Sequence, residues 1–253
     1  MGVVRGAGQG ERSLPKDSSG FRIRGTETTR IETFTDAAFA FALTLLVVSL
    51  EPPTDFEALI RVLRDVPAFL MSASLLMLFW WGHERWSRRY GLDDGVTVLL
   101  SCVLVFTVLV YVYPLRFISG LALSWISVLT GLPVGSGTLV IRGPADVNGL
   151  FVVYGLGFLA MSGAMAALHL HAYRRREVLG LDALEQHETR ASLGAWALLG
   201  TAGLGSVLLS LWVPATWVGV PGWAYMLLPV AMPLFGARMG RRRKALMEGL
   251  DIE

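Results

Sequence analysis

Long apolar runs, parted by polar or glycine- and proline-rich segments, set the pattern of this chain. A hydrocarbon core about 30 Å thick takes about 20 apolar residues as a helix. Runs of that kind fall near 31–50, 66–83, 96–113, 148–171, 193–212 and 218–236. Residues 115–132 are also fairly apolar and would make a seventh span. The positions of Lys and Arg decide, because cytoplasmic loops retain positive charge. With six spans and the N-terminus inside, 18 of the 22 basic residues lie on the inner side; a seventh span gives 10 inside and 12 outside. The pattern therefore predicts six helices with both termini cytoplasmic. Residues 115–132 then either continue the third helix on the outer face past Pro114, which would kink it, or lie as an interfacial or re-entrant segment.

Composition agrees with this picture: 53% of residues are hydrophobic and 17% charged, against roughly 25% charged in a soluble domain. The chain reads as an all-α, multi-pass integral membrane protein of the cell membrane, with the lipid bilayer as its solvent. A net charge of +2 argues against nucleic acid as a partner, and the single Cys102 excludes a disulfide framework. Basic residues are nearly all Arg, which suits a GC-rich bacterial source. Residues 1–29, rich in Gly, Ser and Arg, read as a flexible cytoplasmic tail. Residues 30–237 form the membrane domain, and 238–253 a basic then acidic cytoplasmic C-terminus. The loop 133–147 is turn-rich and extracytoplasmic, and 174–192 reads as a solvated connector of mixed charge. Glycines 155, 157, 163, 200, 203 and 205 sit in spans four and five, where small residues let helices approach closely.

The first span carries the unusual chemistry. Thr29 followed by Glu32 has capping-box spacing, so a helix starts at Arg30. The 21 residues from Arg30 to Leu50 reach about 31 Å, enough to cross. Asp36 then lies almost two turns in, where an intramembrane charge costs on the order of 2.5–3.5 kcal/mol. Arg30 is about 240° away round the helix, and Glu32 at i−4 repels. Asp36 must find its partner on another helix or subunit, for a structural network or for ion handling. On the same helix Ala37, Phe41, Thr44, Leu45 and Val48 form one uncharged stripe. Such a stripe faces lipid or another helix, or, repeated about a symmetry axis, makes a constriction that gates by excluding water.

The run Arg30-x-x-x-Phe34-Thr35-Asp36 before an apolar stretch resembles the Arg-x-x-x-Phe-Ser-Asp signature of the transmembrane protein 175 family of potassium channels. Phe79-Trp80-Trp81-Gly82-His83 is similar to the family's aromatic-Trp-x-x-His. Asp93 or Asp94 before Leu99-Leu100-Ser101, then Tyr113-Pro114, resemble its third span, and Tyr154 a tyrosine in its fourth. The likeness covers about 30–175. It implies a homotetramer of six-span chains conducting potassium ions through a pore lined by the first helices, with no Thr-Val-Gly-Tyr-Gly filter. It also places Phe41 at the narrowest apolar ring, followed by Thr44 and Val48. Arg30, Phe34, Thr35, Asp36, Trp80 and His83 would tie the helix ends together, with His83 hydrogen-bonded to the Arg30–Asp36 region. Thr35 replaces a serine, Phe41 an isoleucine or leucine, and Ser101 an asparagine.

Other classes are weaker. His169-x-His171 stands about 200° apart on a helix and cannot share a metal from one face. No nucleotide-binding motif and no nucleophile with a readable base is present, so neither an enzyme nor a cofactor or metal is expected. A non-conducting homologue, shut by Phe41, is the serious rival. A small-solute or proton-linked transporter is another, although one repeat with few mid-membrane charges argues against it.

Overall fold

The computed structural model describes residues 3–4, 14–49, 52–131, 143–214, 216–217 and 219–250. Helix α1 spans Arg30–Val48, and both halves of the Thr29–Glu32 capping box are formed, as the spacing predicts. α2, Phe56–Tyr90, starts on the Asp55 side chain and stops at Gly91, whose φ of +56° suits a residue without Cβ. α3, Gly95–Thr130, is capped by Asp94; α4 spans Pro144–Arg174. α5, Ala183–Trp212, opens with a second capping box, Asp182–Glu185. The last span is composite: a 3₁₀ turn at Val220–Gly222, a single turn α6 at Trp223–Met226, then α7 at Leu228–Leu250. A two-residue pair, β1 (Val3–Val4) against β2 (Leu92–Asp93), is antiparallel.

Among the described residues, six helical stretches are long and apolar enough to cross a membrane, as the hydrophobic pattern predicts. The ambiguous 115–132 resolves as an extension: α3 runs through Pro114 as one helix to Thr130. Its packing explains this. Leu115, Ser119, Leu121 and Leu123 are buried, Ser119 shares a 2.8 Å hydrogen bond with Ser72 of α2, and Leu121 clusters with Val147 and Phe151 of α4. A re-entrant hairpin would strip these contacts. Most of the expected loop 133–147 lies outside the described residues. α7 continues as one helix through the expected boundary at 237–238 to Leu250.

α4 and α5 meet backbone to backbone. A Cβ on Gly203 would stand 2.9 Å from the Gly155 carbonyl, and one on Gly155 2.8 Å from the Gly203 carbonyl. Gly203→Ala is therefore expected to push the helices apart at a cost of roughly 1–3 kcal/mol, read as a lower melting temperature in detergent. Ala at Gly163, where a Cβ meets nothing within 4 Å, serves as the neutral control.

Residues 14–29 correct the expectation of a free tail. They form a strap across the ends of α2 and α5. Phe21 is 1% exposed, edge-on to Tyr90 and beneath the Arg89 guanidinium at 4.5 Å. The backbone N–H groups of Arg24 and Gly25 both donate to the Arg88 carbonyl, and at Gly25 a Cβ would lie 2.6 Å from the Ser87 oxygen. The connector is corrected too. Glu185, in the first turn of α5, is fully buried and accepts from both Arg22 and Arg24 of the strap. A tail of ordinary polar composition is held because one aromatic ring and three charges find partners distant in sequence. Arg243 of α7 joins the same end, donating to the Ser19 carbonyl at 2.6 Å, so both terminal segments meet there.

Candidate functional site

α1 is two-faced. Thr35, Phe39, Ala42 and Leu46 recur every three to four residues and are buried, as a helix seated on its neighbours requires. On the other side Ala37, Phe41, Thr44 and Val48 are exposed, Phe41 by 56% and Val48 by 70%. Leu45, expected in the same stripe, lies at its edge and is half-buried against the core. The Thr44 hydroxyl donates to the Ala40 carbonyl at 3.0 Å, and its oxygen remains free to accept. The face is thus apolar with one hydroxyl, and it is exposed along its length in the single chain.

The start of this helix is anchored to α2. The Trp80 indole N–H donates to Asp36 Oδ1 at 2.8 Å, which supplies the inter-helix partner that Asp36 was expected to need. One turn earlier, the Ser87 hydroxyl donates to Glu32, so two carboxylates of α1 are held by α2. Thr35 is buried and spends its hydroxyl on the Ile31 carbonyl at 2.8 Å. Phe34 is 51% exposed. Arg30 is exposed and makes no ion pair with another described residue.

His83 corrects an expectation. It is 3% exposed and shares a 2.9 Å hydrogen bond with Ser101 of α3, rather than reaching the Arg30–Asp36 region. Trp80 and His83 lie only about 60° apart round α2, and their neighbours separate them: α3 offers Ser101 to the imidazole, while α1 offers Asp36 to the Trp80 indole. Ser101 thus joins α3 to α2 through His83, apart from the Asp36–Trp80 contact. Of the two candidate aspartates before α3, Asp94 is the N-cap, and its other oxygen accepts from His171 Nε2 at 2.8 Å. Tyr154 is buried in an aromatic stack with Tyr111, Phe158 and Tyr225. His169 bonds the Met165 carbonyl at 2.8 Å, so the two alternate histidines serve separate partners. No group of three metal-ligating side chains occurs among the described residues.

Sequence reasoning missed the strap's charge hub. Glu185 accepts from six N–H groups: the backbone of Arg22 and Asp182, two guanidinium nitrogens of Arg22 and two of Arg24. Nearby, Arg89 binds Asp17 at 2.7 Å. Burial raises the Asp17 carboxyl pKa, but the hydrogen bonds from Ser19 and Arg89 outweigh it and bring it down to about 2 from 3.8. Asp17 thus adds stability above pH 3.8 that fades as the pH falls toward 2. The one available signal was the Asp182-x-x-Glu185 capping box, which places Glu185 on a helix rather than in a loop.

Residues 30–112 match the family described as endosomal/lysosomal potassium channel TMEM175. A potassium channel of Marivirga tractuosa is 33% identical over 232 residues, which span 90% of this chain and 94% of that protein. Among solved structures, the crystal structure of the T38A variant of the potassium channel MtTMEM175, in complex with a nanobody–MBP fusion, superposes with a TM-score of 0.77. It is 32% identical and covers 90% of this chain and all of that one. The Arg30–Asp36 helix start, the Trp80 anchor and the six apolar helices occur together in a chain with that likeness along nearly its whole length, and the chain belongs to the TMEM175 family of potassium channels.

Proposed function

We propose that this chain conducts potassium ions passively, as a homotetramer whose α1 helices line a central pore. The exposed, uncharged face of α1 carries the proposal. Its opposite face is seated in the core, so Ala37, Phe41, Thr44 and Val48 point away from the chain's own bundle. Closed symmetry would turn four such faces toward one axis. Phe41 then forms the narrowest ring and excludes water, and Thr44 offers oxygen to the ion one turn beyond. Leu45 packs behind the ring. Potassium as the ion follows from the names of the relatives. The termini lie in the cytoplasm of a bacterial plasma membrane, by the positive-inside distribution.

Crosslinking together with flux tests this. Cysteine at Thr44, in a background where Cys102 is Ser, should form disulfide-linked dimers of α1 under mild oxidation, and proteoliposomes should pass potassium with no counter-substrate. A monomer in detergent, or Thr44→Cys chains that never crosslink while a lipid-facing control behaves alike, would remove the axis. The Asp36–Trp80 contact ties α1 to α2 and touches no ion in this arrangement. Asp36→Ala is accordingly expected to lower the yield of assembled protein several-fold, since a hydrogen bond to a charged group contributes about 1.5–3 kcal/mol. The potassium-to-sodium ratio of the surviving protein should be unchanged. Normal yield with an altered ratio would place Asp36 on the ion path instead.

A further inference from the structure

At the end where both terminal segments meet, the strap and the polar end of α2 enclose a cleft of about 260 Å³. That is just below the usual range of small-molecule pockets, about 300–1,000 Å³, and so suits a headgroup-sized ion rather than a nucleotide. Three guanidinium groups line it, those of Arg85, Arg88 and Arg89. Two are already neutralised: Arg88 pairs with Glu84 one turn back, and Arg89 is held by Asp17 with two N–H donors. Arg85 is different. It is half-buried, has no carboxylate within ion-pair distance among the described residues, and lies over the Trp81 ring at 5.3 Å. The lining therefore carries one positive charge in excess, on a group whose position is fixed by an aromatic shelf and whose N–H donors are not spent.

Trp81 adds the second observation. It is 51% exposed and stands where the apolar run of α2 gives way to Glu84, Arg85, Arg88 and Arg89. Indole rings favour that depth, at the boundary of hydrocarbon and headgroup. A guanidinium matches phosphate oxygens with paired donors, and basic pockets beside membrane helices recognise anionic headgroups. We propose that this cleft binds one phosphate anion of single negative charge, of the kind a phosphodiester headgroup carries, with Arg85 as its counter-charge and Trp81 at its mouth. No residue of α1 lines the site, and the proposal does not depend on conduction.

Native mass spectrometry of the full-length, delipidated protein tests it, with phosphatidylglycerol as the probe, phosphatidylcholine as the zwitterionic comparison, and glycerol phosphate and inorganic phosphate as soluble competitors. Phosphatidylglycerol should bind more tightly than phosphatidylcholine. Arg85→Gln should weaken it about fivefold, and Arg85→Lys should stay within about twofold of the parent, as one basic group near the surface contributes about 1 kcal/mol. Competition by glycerol phosphate would assign recognition to the phosphate itself; lipid binding that glycerol phosphate leaves intact would assign it to the headgroup in its membrane. Should Arg85→Gln not fold, Trp81→Leu, at an exposed position, is read instead, with the same weakening expected. Equal binding of the two lipids, or phosphatidylglycerol binding unchanged in Arg85→Gln or in Trp81→Leu, overturns the proposal.

Discussion

Glu185→Gln is expected to be the most destabilising single substitution of a charged residue in this chain, at about 3–5 kcal/mol. Glu185 is fully buried and Arg24 is 4% exposed. The carboxylate holds Arg24 through two hydrogen bonds of 3.1 and 2.7 Å and Arg22 through its guanidinium and its backbone N–H. Bringing these charges out of water is expensive, and their mutual attraction roughly offsets that cost; among the described residues, removing the buried acid leaves Arg24 with no carboxylate and Arg22 with Asp182 alone at 3.4 Å. Glutamine keeps the shape and one acceptor oxygen, so the loss reports charge and not volume. Arg22→Gln should cost less, because Arg22 retains 31% exposure and its partner keeps Arg24. Size-exclusion thermal melts in detergent measure both. Limited trypsin digestion supplies a second reading: in Glu185→Gln the strap should be cut after Arg22 and Arg24, where the parent resists. A Glu185→Gln protein that melts with the parent and keeps its strap protected would mean that the hub is an ornament of the packing.

The difference between Glu185 and Asp36 shows what a sequence carries and what it hides. Asp36 stands out because its surroundings along the chain are apolar, so the need for a partner is visible at once, and Trp80 supplies it. Glu185 sits among Asp182, Glu188 and Arg190, a mixture that reads as solvated, and its partners lie more than 160 residues away. The same holds for Phe21: one ring in a Gly- and Ser-rich segment gives no periodicity, yet it is buried because α2 ends in Tyr90 and Arg89 beside it. Helices were legible because their signals are local. The Thr29–Glu32 capping box, the apolar length of six runs and the glycines of α4 and α5 needed no knowledge of tertiary packing. Pro114 was ambiguous because a proline's effect depends on what the helix beyond it packs against, here Ser72 and the α4 start. The partner of His83 is hidden for a related reason: spacing places it one turn from Trp80, but only the packing of α3 against α2 decides that Ser101 is within reach.

Phe41→Asn is expected to raise potassium flux into proteoliposomes on the order of tenfold or more, because a ring of apolar side chains conducts only when water wets it. Phe41 is 56% exposed and lies on the face that carries Ala37, Thr44 and Val48. It takes no part in the buried set Thr35, Phe39, Ala42 and Leu46, so its replacement should leave folding nearly intact. Asparagine is shorter and brings an amide that donates and accepts, and in the proposed pore four of them would bind water where four rings exclude it. Phe41→Ala separates the two contributions: it opens the ring but keeps it apolar, so flux should rise less than with asparagine if wetting governs, and by as much if width alone governs. Thr44→Val, which deletes the hydroxyl next along the same face, should lower the flux of the Phe41→Asn protein by withdrawing oxygen from the ion. A lipid-facing Phe41 would give the opposite pattern: poorer insertion from a polar group in hydrocarbon, and flux per incorporated protein equal to the parent's. That equality, measured at matched incorporation, would end the case for Phe41 as the barrier and leave the first helix without its assigned gate.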